Sequence, residues 1–238
     1  MTDLVGKTAL ITDGAGQIGS AIGDALTAAG ARVLRHGPGA DLAADLADRG
    51  QIEAMMAAAG TIDILVNVAC PQHIAPVVAF PPAQWDHILA VGLTAAFHTT
   101  RLALPGMLER GWGRIVNMSS VQGLVASMDK SAYVAAKHGL IGFTKAVALE
   151  TAGKGVTANA FCPGWTGTDG TKAQAAIRAE RTGVTPEQAL QDMLTEKQPS
   201  GQWVSIKALG GLVVFLCSEH AAQITGAALP VDGGWVAQ

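Results

Sequence analysis

Short apolar runs closed by turn residues recur along the chain, and longer stretches with the spacing of amphipathic helices lie between them. Lys7 to Thr12 (KTALIT), Ala31 to Leu34, Ile62 to Val68 (IDILVNV), Arg114 to Met118, Val156 to Phe161 and Ala228 to Val231 are predicted as buried strands, being apolar but too short for helices. Ser20 to Ala29, Gln51 to Ala59, Gln84 to Glu109, Ser131 to Glu150 and Leu209 to Ser218 are predicted as helices, with Pro105 marking a kink or break near the end of the third. Between Arg35 and Leu46 there is no room for the crossover helix that parallel strands need. A further strand there can only be a short edge segment around Ala40 to Asp45, reached through Gly37, Pro38 and Gly39. Pro71 to Pro82 is a Pro-broken loop, and Thr166 to Pro199 is polar, with two short helical patterns at about 172–181 and 186–195. The alternation predicts an α/β fold: one domain over residues 1–238, a doubly wound parallel sheet of about seven strands with helices on both faces. The polar interruption at about 166–200 is predicted as a small helical lid, because insertions after a strand's carboxyl end lie where ligands bind.

Composition narrows the partner more than the fold. Hydrophobic residues make up 49% of the 238 residues and charged residues 15%, with a net charge of −3 and no basic cluster. A nucleic-acid or polybasic membrane surface is therefore not expected, and a small molecule is. Cys70, Cys162 and Cys217 have neither disulfide nor zinc-site spacing and are expected to be free buried thiols; His73, His87, His98, His138 and His220 show no ligand spacing either, so no metal is predicted. With no basic-then-apolar leader and no apolar run of eighteen residues, the expected location is cytoplasmic.

Two stretches carry candidate chemistry. Asp13-Gly-Ala-Gly-Gln-Ile-Gly19 follows the first strand and opens the first helix. In that context Gly14 and Gly16 allow close backbone approach, Gly19 allows tight helix-strand packing, and an anionic pyrophosphate would meet the helix N-terminus, the arrangement of a Rossmann-type dinucleotide fold. The second stretch is Ser120 to Lys137 (SVQGLVASMDKSAYVAAK). Tyr133 and Lys137 are four residues apart on one predicted helix face, where the ammonium is expected to lower the phenol's pKa, and Ser120 stands just past a strand end.

With these pieces in place, the chain resembles the short-chain dehydrogenase/reductase family over essentially its whole length. The resemblance rests on IDILVN at 62–67, GRIVNMSS at 113–120, KSAYVAAKHG at 130–139, GFTKAVALETAG at 142–153, TANAFCPGW at 157–165, TEKQPS at 195–200 and AAQITGAALPVDGGW at 221–235. It implies reversible hydride transfer between NAD and a small 3-hydroxy acid, in a homotetramer. Tyr133 would be the general acid/base, Lys137 would support it and hold the nicotinamide ribose, and Ser120 would hold the substrate oxygen. Asp13, Gly14, Gly16, Gln17, Ile18, Gly19 and His36 would line the dinucleotide, Asp45 and Leu46 would meet the adenine, Asn67 would steady a strand end near the adenine ribose, and Pro163 and Thr168 would flank the nicotinamide. Gln72, Gln122, Lys130 and Gln174 would meet the substrate, whose carboxylate needs a buried cation and donors, and Trp165 and Trp235 would close the pocket.

The sequence departs from the family pattern in the same neighbourhood. The expected TGxxxGxG reads Thr12-Asp13-Gly-Ala-Gly-Gln17-Ile-Gly19, the expected NNAG reads Asn67-Val-Ala-Cys70, Gly92 stands where the family has a relay Asn, and Gln122 stands where it has a substrate-binding His. His36-Gly37-Pro38 stand where the family has its NAD-selecting acidic residue; Arg35 and His36 would favour the 2′-phosphate of NADP and Asp13 would oppose it, so NADP stays open beside the expected NAD. A fold relative with impaired cofactor binding, acting as a non-redox enzyme or a binding subunit, is the alternative reading.

Overall fold

The computed structural model describes residues 3–237. Its sheet has six parallel strands in the order β2-β1-β3-β4-β5-β6: β1 Thr8–Thr12, β2 Arg32–Arg35, β3 Ile64–Asn67, β4 Gly113–Met118, β5 Val156–Pro163 and β6 Ala228–Val231. The helices are α1 Gln17–Ala28, α2 Arg49–Ala59, α3 Pro82–Leu89, α4 Ala95–Glu109, α5 Ser131–Thr151, α6 Asp169–Thr182, α7 Pro186–Lys197 and α8 Ile206–Cys217.

The two-residue period of the strands sorts the core into two layers. Ile11, Ile64, Val66 and Val116 point to one face and pack with Ile22 and Leu26 of α1 and Leu209 and Val213 of α8. Leu10, Leu65 and Ile115 point to the other and pack with Ile52 and Met55 of α2, Met107 of α4 and Val147 of α5. Each fully buried Leu or Ile contributes about 1.5–3 kcal/mol relative to exposure. Inside the second layer a chain of side-chain hydrogen bonds fixes the register of the helices on the sheet. Thr99 Oγ1 donates to Asn67 Oδ1 (2.8 Å), Asn67 Nδ2 to Asn117 Oδ1 (2.9 Å) and Asn117 Nδ2 to Thr144 Oγ1 (2.8 Å), joining α4, β3, β4 and α5.

Two expectations are corrected. The short edge strand at Ala40 to Asp45 does not form: only Leu42 bridges, to His36, so the sheet ends at β2 with six strands. The abbreviated connection brings the chain back beside β2 for one residue and then leaves toward α2. The long third helix is not broken at Pro105, which lies within α4; its irregularity is a π turn at Ala90–Thr94, containing Gly92, between α3 and α4. Strand order reverses on either side of β1, so a crevice opens above the carboxyl ends of β1 and β3, where open α/β sheets bind ligands.

Candidate active site

A cleft of about 670 Å³ lies over the carboxyl ends of β1, β3, β4 and β5 and under α6. Ser120, Tyr133, Gln72, Gln122, Lys130, Trp165, Gln174 and Trp235 all line it, as do Asp13, Gln17, Ile18, Pro163 and Thr168. Residues separated by up to some two hundred positions thus meet at one place because the loops after successive strands all open on the same side of the sheet.

The start of α5 is stitched to the end of β4. Ser119 Oγ donates to the Lys137 carbonyl (3.0 Å), and Lys137 Nζ donates to the Met118 carbonyl (2.6 Å). Lys137 has no exposed surface, and its ammonium lies 5.5 Å from the centre of the Tyr133 ring. Ser120 caps a short turn, accepting the Gln122 N–H at its Oγ (3.1 Å), which leaves the hydroxyl hydrogen free to donate elsewhere. The expected lowering of the tyrosine's pKa is not what the environment produces. Burial pushes the Tyr133 phenol up, the Ser120 and Gln72 side chains that face it pull it partly back, and Lys137, itself lowered by burial, spends its closest contact on a carbonyl. The resting phenol is protonated at neutral pH.

At the other wall, Lys130 precedes α5 after Asp129, whose φ of 63° is left-handed. Lys130 is only 8% exposed; its ammonium donates to Gln174 Oε1 of α6 (2.6 Å) and stands 5.3 Å from the Trp165 ring centre. Among the described residues no carboxylate pairs with it, and burial pulls its pKa down to about 8. Trp165 and Trp235 pack at 5.5 Å between ring centres. Trp165 is held by its N–H to Gln198 Oε1 (2.8 Å), while its indole Nε1 and Gln122 Oε1 are buried without partners.

The dinucleotide end fits a bound NAD(P) at the turn. Gly16 caps α1 with no side-chain hydrogen bond, leaving the first-turn N–H groups open for a pyrophosphate. A Cβ at Gly14 would come within 2.9 Å of Arg35 Cβ, and one at Gly19 would strike the Asp13 carbonyl, so the tight turn needs both glycines. Gln17 Oε1 accepts the Asp169 N–H (2.8 Å), tying the turn to the first residue of α6 across 152 positions of sequence. Thr168 lines the cleft but also caps α6.

Four residues expected near the adenosine do not line the cleft. His36 is 7% exposed, and both its ring nitrogens are engaged, Nδ1 by the Asp13 N–H (3.2 Å) and Nε2 by the Ala44 carbonyl (2.9 Å). Leu46 is buried in the core with Ile52, and Asp45 uses its carboxylate on the Ala47 N–H (2.8 Å). Asn67 turns inward into the network that joins the strands.

Cys70, expected to be buried like Cys162 and Cys217, is half-buried and lines the cleft. It is matched to Gly92: a Cβ at residue 92 would collide with the Cys70 Sγ. The two departures from the family pattern are therefore one substitution in space, a thiol filling room that a side chain on the π turn would need. His73 lines the cleft as well, a position that its lack of ligand spacing does not indicate. Its only sequence signal was its place in the loop after β3.

The comparisons with known proteins agree with this geometry. The family whose description is enoyl-(acyl carrier protein) reductase matches residues 8–236. The chain is 52% identical to a D-beta-hydroxybutyrate dehydrogenase of Cupriavidus necator, covering 99% of this chain and 100% of that one. It is 42% identical to a D-beta-hydroxybutyrate dehydrogenase of Rhizobium meliloti, covering 98% and 99%. Its fold superposes with a TM-score of 0.88 and 34% identity on a provisionally assigned NAD(P) dependent gluconate 5-dehydrogenase of Beutenbergia cavernae with NADP bound at low occupancy, covering 99% of both chains. Nothing in these similarities favours a non-redox reading. The chain is an NAD(P)-dependent oxidoreductase and belongs to the short-chain dehydrogenase/reductase family.

Proposed function

We propose that this enzyme interconverts a small 3-hydroxy acid and the corresponding 3-oxo acid, of the 3-hydroxybutyrate and acetoacetate type, with NAD as the cofactor. The observation that carries the reading is Lys130, a buried ammonium facing the same cleft as Tyr133 with an amide and an aromatic ring beside it but no counter-ion among the described residues. Burying an unpaired cation is costly, and a substrate carboxylate would supply the missing charge. The names of the curated relatives point the same way.

NAD supplies the hydride acceptor and NADH the donor; the protein's part is to place and protonate the substrate. With the carboxylate against Lys130, Gln174, Gln72 and Gln122, the 3-oxygen reaches Ser120 and Tyr133 on the opposite wall. Ser120 donates its free hydroxyl hydrogen to that oxygen, and Tyr133 delivers its proton as negative charge develops there, so no free alkoxide forms. In the reverse direction Tyr133 first gives up its own proton to solvent, and the phenolate then takes the alcohol proton. Lys137 holds the phenol in place and offers its remaining N–H donors to the cofactor ribose. Trp165 and Trp235, with the lid formed by α6 and α7, exclude water.

We extend the reading to a cytoplasmic homotetramer. Support comes from the hollow between α4 and α5 lined by Phe97, Leu104, Phe143 and Val147, an apolar face suited to a second copy. Light scattering on the purified chain tests that part. The activity is tested by following NADH with a panel of 3-hydroxy acids. Turnover should require both the carboxylate and the 3-hydroxyl, and equal turnover of the matching neutral alcohols would overturn the carboxylate assignment.

A further inference from the structure

In doubly wound dinucleotide folds the residue just past the second strand reads the adenine ribose, an acid accepting from the 2′-hydroxyl or a cation meeting the 2′-phosphate. Neither is available there in this protein. His36 has both ring nitrogens committed. The Arg35 guanidinium folds back over Gly23, where a Cβ would lie 2.8 Å from its Nε, and pairs with Asp24 (2.7 Å). The Asp41 carboxylate accepts the backbone N–H of Arg35 at one oxygen (2.8 Å) and does not line the cleft, so the strand end presents no acid to it.

The neighbouring turn holds a different charge. Asp13 is the only acidic side chain lining the cleft among the described residues. Its φ of 53° is left-handed, a conformation shared among the described non-glycine residues only with Asp129. Asp is among the few non-glycine residues that adopt this conformation readily, so the turn can close with a carboxylate in place of glycine. Its carboxylate makes no hydrogen bond among the described residues and rests over Gly16, where a Cβ would meet both carboxylate oxygens at 2.8 Å. Its backbone N–H meanwhile donates to His36, the residue just past β2, so Asp13 adjoins the position from which the ribose is ordinarily read.

We propose that Asp13, from the Gly-rich turn, has taken over cofactor selection from the end of β2: its carboxylate accepts a hydrogen bond from the adenine-ribose hydroxyls of NAD and repels the 2′-phosphate of NADP. The inference rests on the NAD reading above and names the residue responsible for it. Strand-end selection is released because His36 has become a structural prop for the turn, and the turn itself carries the charge. Desolvation pushes the Asp13 carboxyl up, and the His36 ring beside it pulls it back, consistent with a carboxylate that lacks a partner until a hydroxyl arrives.

The test is a binding titration, by dinucleotide fluorescence or calorimetry without substrate, of NADH and NADPH against the wild-type chain, Asp13→Asn and Asp13→Gly. Asn and Gly both tolerate a left-handed φ, and circular dichroism checks that each variant folds. The wild-type chain should bind NADH at least about tenfold more tightly than NADPH, and both variants should lose most of that ratio, chiefly by binding NADPH more tightly. An unchanged ratio would overturn the proposal. So would an equal gain for both dinucleotides, which would make Asp13 an internal anion competing with the shared pyrophosphate at α1. If wild-type and variant chains bind neither dinucleotide, the NAD reading fails and this inference with it, a result distinct from binding without discrimination.

Discussion

At one end of the cleft, two cations are buried and fixed: Lys137 against the Met118 carbonyl and Lys130 against Gln174. At the other end the polar side chains that line the cleft, Asp13 and Gln17, are exposed, and each stands where the family pattern expects glycine. The first end places few groups, deeply desolvated and tied to β4 and α5, so a small displacement there is expensive. The second end relies on backbone N–H groups at α1, and there side chains can change as long as the turn closes. The contrast explains how the Gly-rich signature can drift while Ser120, Tyr133 and Lys137 are kept: proton transfer depends on particular atoms, and phosphate binding depends on the path of the backbone.

The largest expected effect lies at the buried end. Tyr133→Phe should lower kcat by about a thousandfold while leaving NADH affinity within about twofold, measured by steady-state kinetics and fluorescence titration. If NADH affinity falls in parallel, Tyr133 is chiefly part of the cofactor site.

Next comes Lys130→Met. It should raise KM for a 3-hydroxy acid by about a hundredfold, the loss of one charged, desolvated contact. It should also stabilise the ligand-free chain toward urea at neutral pH by up to about 3 kcal/mol, because the folded state holds this lysine near a pKa of about 8 against 10.5 ordinarily. The sign follows from linkage. Between about pH 8 and 10.5 the unfolded state binds more protons at this site, so its burial penalty is full below that window and relieved as pH rises through it. Substrate affinity runs the other way, weakening above about pH 8 as the ammonium discharges, and Lys130→Met should abolish that dependence. A variant that binds substrate normally, or that is destabilised, would make Lys130 an ordinary structural lysine.

Behind the catalytic helix α5, where Gly92 and Cys70 pack against Ala136, and at the dinucleotide turn the effects are smaller. Gly92→Ala should destabilise the chain by about 1–3 kcal/mol through collision with Cys70, and Cys70→Gly should restore most of that loss, giving a clear coupling in a double-mutant cycle. Additive losses would mean that the two positions are independent. Smallest is Gln17→Gly, which removes one exposed hydrogen bond to α6, worth about 1 kcal/mol, and should tighten NADH binding severalfold by freeing the turn from the lid. Weaker binding would show that Gln17 holds the cofactor.

The contrast between the two ends also separates what was legible in the sequence from what was not. The strand and helix periods, the Gly turn and the Ser120, Tyr133 and Lys137 spacing are local patterns, and the fold brings these residues together as they imply. Lys130 and Gln174 were legible only through the family resemblance, since their contact joins the start of α5 to α6 across a long separation. Local pattern could not reveal that His36 turns under the Asp13 N–H, that Leu46 joins the core, or that Asn67 faces Asn117 and Thr99, because each is decided by a tertiary hydrogen bond or burial. The missing edge strand has the same origin. Ala40 to Asp45 has a plausible composition, but pairing depends on a connection that returns Leu42 alone to His36. The direction of the tyrosine's pKa is illegible for a different reason: the sequence shows the cation four residues away but not the burial that raises the phenol.

The most direct measurement is the absorbance at 340 nm when the purified chain is given NAD and D-3-hydroxybutyrate. The account predicts NADH formation that saturates with the acid, disappears in Tyr133→Phe and needs far more acid in Lys130→Met. No absorbance change with NAD or NADP across a panel of 3-hydroxy acids, from a folded chain that binds NADH, would contradict it.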